Sequence, residues 1–424
     1  MRNSIGFFAT GLILVAQMAL GAGYEKSVMW SGKHGGVAGA GAATSNDSES
    51  LVFNPAGLAD VKGIEVSGNF SPTWIQTKAP VVTANTQLTS DTSFVPTSGF
   101  TAAYKLSDSF GIGAGAYVGG GSRAKYSSVS VTGFNLTPDY KSEITLMEYS
   151  LGVGYKIMPG LKVGATWRIL HATADIALPV VGTGNTTLSG VNLSNMSATK
   201  YDGFRFGAQY EGDNWGVGVN VRTAVNFTLS GDLSGTTEVQ ANHAQLPWTN
   251  PTAATASNSF PVEGTLGGYF DASKDLRLMA EYTYANYAKN KEIALTGSAT
   301  VGGATKTLSN IDQNWKDLHV GRVAAEYRGW AESVLRAGYA MVSQVTPKEY
   351  ALPTFSSPGM GHTITVGGGH SYLNKSLDLD LAFEYSFASG TVAASDIPAT
   401  NTKTKAGDYS SHALAGHVGM TYRF

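Results

Sequence analysis

The 424-residue sequence predicts an all-β fold, a 14-stranded antiparallel transmembrane β-barrel with an N-terminal hatch of short helices inside the lumen. Three observations predict it. The last segment, His412 to Phe424, alternates, with Leu414, Gly416, Val418, Met420, Tyr422 and Phe424 on one face. An apolar leader stands at the other end, from Ile5 to Ala19 behind Met1 and Arg2. Between them, connections alternate between short and long. In lipid every backbone polar group must be paired within the protein, so strands cross only as a closed barrel.

The leader comes first. Its run is interrupted by Gly6, Thr10, Gly11 and Gln17 and is short for a membrane helix of about 20 residues. Small residues around Gly21 then offer a cleavage point, so residues 1–21 are expected to be a signal peptide. Hydrophobic residues make up 42 % of the chain without any later long apolar stretch, as alternating strands would disperse them. Charged residues, at 14 %, fall below the roughly 25 % of soluble domains, and the 52 glycines exceed ordinary usage. Lipid-facing surface accounts for the first and close strand packing for the second. A net charge of −2 leaves no basic footprint for nucleic acid. The absence of Cys excludes disulfides, thiol catalysis and thiolate metal sites.

Residues 22–62, rich in Gly and Ala with turn signals at Ser45 to Ser48 and Asn54-Pro55, do not alternate and are expected to be the hatch. A barrel this wide must be filled or conduct water. The barrel proper is expected over 63–424, with strands near 63–76, 93–106, 109–119, 143–157, 160–176, 200–211, 214–229, 259–271, 275–289, 314–328, 333–342, 361–373, 376–388 and 412–424. Tight turns fall at 105–110, 156–160, 211–214, 272–275, 329–332 and 373–376. Long polar connections fall near 77–92, 120–142, 177–199, 230–258, 290–313, 343–360 and 389–411. Short turns and both termini belong in the periplasm. Leu377 to Phe387 at odd positions, and Trp215, Val217, Val219, Val221, Val225 and Phe227, are expected to face lipid. Trp74, Trp215 and Trp315 are placed at the membrane interface.

Several motifs resemble the outer-membrane long-chain fatty-acid transporter (FadL-type) family, which includes aromatic hydrocarbon transporters. Ala22-Gly23-Tyr24 is similar to that family's mature start, and Asn54-Pro55-Ala56 to its hatch motif. Asn314-Trp315-Lys316-Asp317, Leu335 to Tyr339 and Thr346-Pro347 are similar to its strand-ten to strand-eleven region. The resemblance implies passive uptake of a hydrophobic small molecule, most simply a long-chain fatty acid. The implied route runs from a groove between extracellular loops to an internal pocket, then sideways through a gap at a distorted third strand. The Gly-dense third strand, with Gly111, Gly113 and Gly115, suits such a gap, and equally suits ordinary barrel curvature.

Each candidate site carries two readings. Asn54, Pro55 and Ala56 form a hatch latch, or a turn that ends a helix. Leu178, Val180, Leu246 and Trp248 lie in the loops that would make the groove, or are loop-base packing. Arg168, Arg205, Arg222 and Arg322 face the lumen, with Arg277 and Arg336, beside Glu263, Glu281, Glu326, Asp378, Asp380 and Glu384. They contact a ligand carboxylate, or brace hatch and wall as an ion-pair lattice, which is the favoured reading. No catalytic residue, metal site or cofactor is expected: His171, His319 and His412 lie apart, and the Gly runs lack a nucleotide-loop context. Partners are expected to be the hydrophobic solute, outer-membrane lipid and lipopolysaccharide, and the barrel-assembly machinery, with the protein a monomer. A surface receptor or adhesin working through its long loops, and a porin for polar solutes, are the competing functions.

Overall fold

In the computed structural model, residues 30–424 are described. The leader and the Ala22-Gly23-Tyr24 start lie outside the described residues. Fourteen spanning strands follow one another: β1 Ile64–Pro80, β2 Ser93–Lys105, β3 Phe110–Tyr126, β4 Tyr140–Met158, β5 Leu161–Val181 and β6 Thr187–Glu211. β7 is made of Trp215–Arg222 and Val225–Val239, and β8 of Ala254–Phe260 and Glu263–Asp271. Then come β9 Leu276–Ala285, β10 Leu318–Trp330, β11 Ser333–Val342, β12 Gly361–Tyr372, β13 Leu377–Val392 and β14 Gly407–Arg423. Each pairs antiparallel with the next, and β1 closes on β14 from Glu65↔Arg423 to Lys78↔Ser410. No edge strand is left open at the seam.

Alternation sets the two faces. Leu379, Leu381, Phe383 and Tyr385 of β13 are exposed, whereas Asp380 and Glu384 between them are buried. The outer belt continues through Phe100, Leu151, Phe206, Leu266 and Val418. A surface this apolar is stable only against hydrocarbon.

Three expectations are corrected here. The stretches 120–142, 177–199 and 230–258 are largely strand: β3 runs on to Tyr126, β5 and β6 meet in a hairpin around 182–186, and β7 continues to Val239. Their Ser, Thr and Asn read as loop, yet they suit a wall that rises past the membrane into water. The third strand is therefore long. Val225 and Phe227 are buried inside the barrel, because Thr223 and Ala224 interrupt β7 and the side-chain phase inverts across them. β8 inverts at the matching level, at Pro261 and Val262, where Pro lacks an N–H for the ladder. Trp315 is 3 % exposed and packs inside against Tyr287 and Phe355, so of the three tryptophans placed at the interface Trp74 and Trp215 face outward and Trp315 does not.

Candidate transport lumen

Residues 30–62 fill the short-turn half of the barrel. Ser31 caps α1 (Gly32–Gly35) by accepting from His34 N at 3.0 Å. α2 (Ser50–Phe53) stops at Asn54, whose extended backbone starts the 3-10 turn Pro55–Asp60 with Pro55 at its first position. Asn54 Oδ1 accepts from Ala56 N at 3.1 Å. Its amide nitrogen donates to Ala42 O at 2.7 Å within the hatch and to Ala208 O at 3.0 Å on β6. Asn54-Pro55-Ala56 is thus a turn and a tie to the wall at once. Wall glycines let the hatch backbone approach: a Cβ at Gly218 would lie 2.0 Å from Ala42 O, and one at Gly164 2.2 Å from the Pro55 carbonyl carbon. Of the predicted Gly111, Gly113 and Gly115, Gly111 belongs to this set, while Gly113 and Gly115 face the Leu51 and Leu58 side chains and their own wall neighbours. All three sit in the regularly paired part of β3, where a Cβ at Gly111 would lie 2.0 Å from Leu58 O.

Polar groups hold the hatch. Glu49 accepts from Ser31 Oγ at 2.5 Å and Asn69 Nδ2 at 2.7 Å, and lies 3.1 Å from His34 Nδ1. Burial, with the charge of Asp47 beside it, pushes the Glu49 carboxyl up to about 8. Burial, reinforced by Lys33, pushes His34 down to about 3. Glu281 accepts from Gly41 N and Ala42 N at 3.0 and 2.8 Å, and Asn220 Nδ2 donates to Phe53 O at 2.7 Å.

The four predicted arginines form a charged floor above the hatch. Arg168 meets Glu148 at 2.6 Å, and Arg205 lies 3.5 Å from the same carboxylate while donating to Leu51 O at 2.7 Å. Arg222 pairs with Glu263 at 3.2 Å and Arg322 with Glu281 at 3.1 Å. A cavity of about 80 Å³ lies among Phe53, Tyr117, Glu148, Arg205, Arg222 and Glu263. Every one of these guanidiniums already has a carboxylate. Glu148, which Tyr117 also contacts through its hydroxyl, is the floor residue that sequence reasoning missed.

Toward the long-loop end the lining changes on five strands. Arg168 gives way to Leu170 on β5, Arg222 to Val225 on β7, Glu263 to Phe260 on β8, Glu281 to Ala285 on β9, and Arg322 to Val320 on β10. Above it lies one apolar cluster including Met196, Phe227, Leu229, Tyr287, Leu295 and Trp315. Of the predicted groove residues, Leu178 and Trp248 pack against this cluster. Val180 is 47 % exposed, and Leu246 sits in a short strand paired with Thr237, so neither joins it. Sequence reasoning missed Phe227, Leu229 and Phe260 as lumen residues. The signals were present in Thr223-Ala224 and Pro261.

The wall is interrupted beside the floor. β2 and β3 pair only from Gly99↔Tyr117 to Lys105↔Gly111. Beyond that, 93–98 keep their bonds to β1, and 118–126 keep theirs to β4 past a bulge at Gly119. Pro96 stands in the bare stretch.

A closed, lipid-belted barrel with an internal hatch, a charged floor and an apolar chamber defines an outer-membrane transport barrel. The chain belongs to the family of outer membrane protein transport proteins (OMPP1/FadL/TodX), whose model matches residues 12–424. It is 23 % identical over 455 residues to the putative outer membrane protein NMB0088 of Neisseria meningitidis serogroup B, covering 94 % of this chain and 96 % of that protein. Its fold is similar to that of a Pseudomonas aeruginosa FadL homologue, with a TM-score of 0.75, 15 % identity, and coverage of 95 % and 99 % of the two chains. It is also similar to the P. putida toluene transporter TodX, with a TM-score of 0.73, 16 % identity, and the same coverage.

Proposed function

We propose that the protein is a passive outer-membrane channel for hydrophobic molecules, with short turns and termini in the periplasm. The observation that carries this reading is the abrupt change of lining from paired charges to an apolar chamber. Burying an apolar solute there is worth about 25 cal/mol per Å² of its surface. Release follows sideways through the β2–β3 interruption once the hatch shifts and weakens the chamber, since a bound molecule moves an equilibrium only by its differential affinity.

Two features bear on ligand class. The chamber contains Trp315 in contact with both Tyr287 and Phe355, and the edge-on pair Phe227 and Phe260, which suit a flat aromatic ring. The floor arginines are engaged by Glu148, Glu263 and Glu281, which supports the bracing role over a carboxylate site. An aromatic hydrocarbon is therefore favoured over a long-chain fatty acid. The name of TodX, a toluene transporter, points the same way.

The test is binding of toluene and of oleate to the purified barrel, read by Trp fluorescence, with uptake measured in cells lacking their own transporter. Toluene binding with uptake is expected, and Phe227→Asp should weaken binding by ~10-fold or more. Binding without uptake would favour the receptor, and sugar-driven liposome swelling the porin.

A further inference from the structure

The wall has a second interruption, between β6 and β7. These strands pair from Arg205↔Arg222 to Glu211↔Gly216 and again at Ser197↔Ser230 in the same register. No ladder pair joins 198–203 to 224–229. Each stretch keeps its other neighbour, through Lys200↔Leu170 and Gly203↔Arg168 to β5, and through Asn226↔Ser259 and Thr228↔Ser257 to β8. Two bare strand edges therefore face each other. Thr223 closes the lower margin, its N–H donating to Phe204 O at 3.0 Å and its Oγ1 accepting from Phe204 N at 2.9 Å.

The lumen side is largely apolar, with Leu170, Val225 and Phe227 of the chamber buried and Lys200 half-buried opposite Leu170, and on the outside Trp167, Tyr201 and Phe204 are exposed beside Thr199, Asp202, Asn226 and Thr228. Leu170 reaches to the margin of the opening: a Cβ at Gly203 would lie 2.6 Å from Leu170 Cδ1 and 2.9 Å from Arg168 O. The opening begins roughly 8 residues above the turn after Glu211, near the far limit of the about 9–11 strand residues that cross hydrocarbon. Unpaired backbone at that depth is unfavourable unless it serves a passage or meets water.

We propose that this is a second lateral port, joining the apolar chamber to the outer leaflet. It rests on the reading of the chamber as the hydrophobic site, and differs from the β2–β3 interruption in what it reaches. That one gives onto Tyr117, Gly119 and the charged floor, whereas this one reaches the chamber directly. A hydrophobic molecule dissolved in lipid exchanges with the chamber here by displacement of Leu170 and Val225, without passing the arginines and without hatch movement.

The absence of Cys makes the test direct. Thr199→Cys and Thr228→Cys, opposite and exposed, are joined with a short bis-maleimide after the barrel has folded into liposomes. A lipid-soluble phenyl diazirine is added and activated by light, and labelled peptides are identified by mass spectrometry. The expected result is labelling of Phe227 and Leu229 in the unlinked protein and its loss on linking, with labelling of outward-facing Leu381 unchanged. Linking Ser98→Cys to Val118→Cys instead should leave chamber labelling in place. Unchanged chamber labelling with the β6–β7 link in place would overturn the port alone. An unlabelled chamber in the unlinked protein would remove the hydrophobic site, and the port with it.

Discussion

Glu49 shows how a single buried residue governs the hatch. Its folded carboxyl titrates near 8, above its ordinary value of 4.5, so the folded state holds a proton that the unfolded state has released between those values. Stability from this group is complete below its ordinary value and declines as pH rises toward about 8. His34 acts in the opposite sense: its folded value near 3 means that the unfolded state takes up the proton first, so acid below its ordinary 6.5 loosens the hatch. Protection of the amides of residues 31–58, corrected for the intrinsic pH dependence of exchange, should therefore fall between about pH 6.5 and about pH 8, and Glu49→Gln should flatten that fall. Glu148 makes a second test. Glu148→Gln leaves Arg168 and Arg205 without their shared counter-charge and should cost about 3–5 kcal/mol, seen as a lower urea midpoint of the folded barrel.

At the scale of elements, wall glycines divide by what stands before them. A Cβ at Gly207 would lie 1.9 Å from Asn54 Oδ1, whereas one at Gly321 meets nothing within 4 Å. Gly207→Ala should displace the hatch and expose its amides to exchange, while Gly321→Ala should leave exchange unchanged. Composition shows that this chain is rich in Gly and cannot show which glycines receive a hatch. β7 carries a similar lesson. Its lower half is readable because Trp215, Val217, Val219 and Val221 alternate against Asn220 and Arg222. Its upper half inverts because two residues fall outside the ladder, and period-two reasoning carried through them puts Val225 and Phe227 on the wrong face. The β6–β7 interruption was beyond reach for a related reason, whereas a gap at the third strand was expected only from the family resemblance. Strand propensity says that 198–203 and 224–229 are extended, but not that they lack each other as partners.

For the whole molecule, hatch and barrel are separable in physical role. The barrel closes on its own ladder from β1 to β14, and the hatch adds the filling of its short-turn half. Deleting residues 30–62 should leave a barrel that still runs faster unboiled than boiled on a gel. The same deletion should raise ion conductance in planar bilayers well above that of the intact chain, because the lumen of a barrel this wide otherwise stands open to water. Unchanged conductance would show that the floor of Arg168, Arg205, Arg222 and Arg322 with its carboxylates seals the lumen without the hatch.

The amino-acid pattern alone determined the strand number, the alternation of short and long connections, the lipid-facing belt and the inward arginines. Each follows from local periodicity and turn chemistry, which act over a few neighbouring residues. Tertiary structure alone decided that Phe227, Phe260 and Trp315 meet in one chamber, that Glu148 answers two arginines, and that β6 and β7 part company above Thr223. Those outcomes depend on which strands adjoin and in what register, and pairing between distant segments is set by closure of the barrel rather than by any stretch of sequence within it.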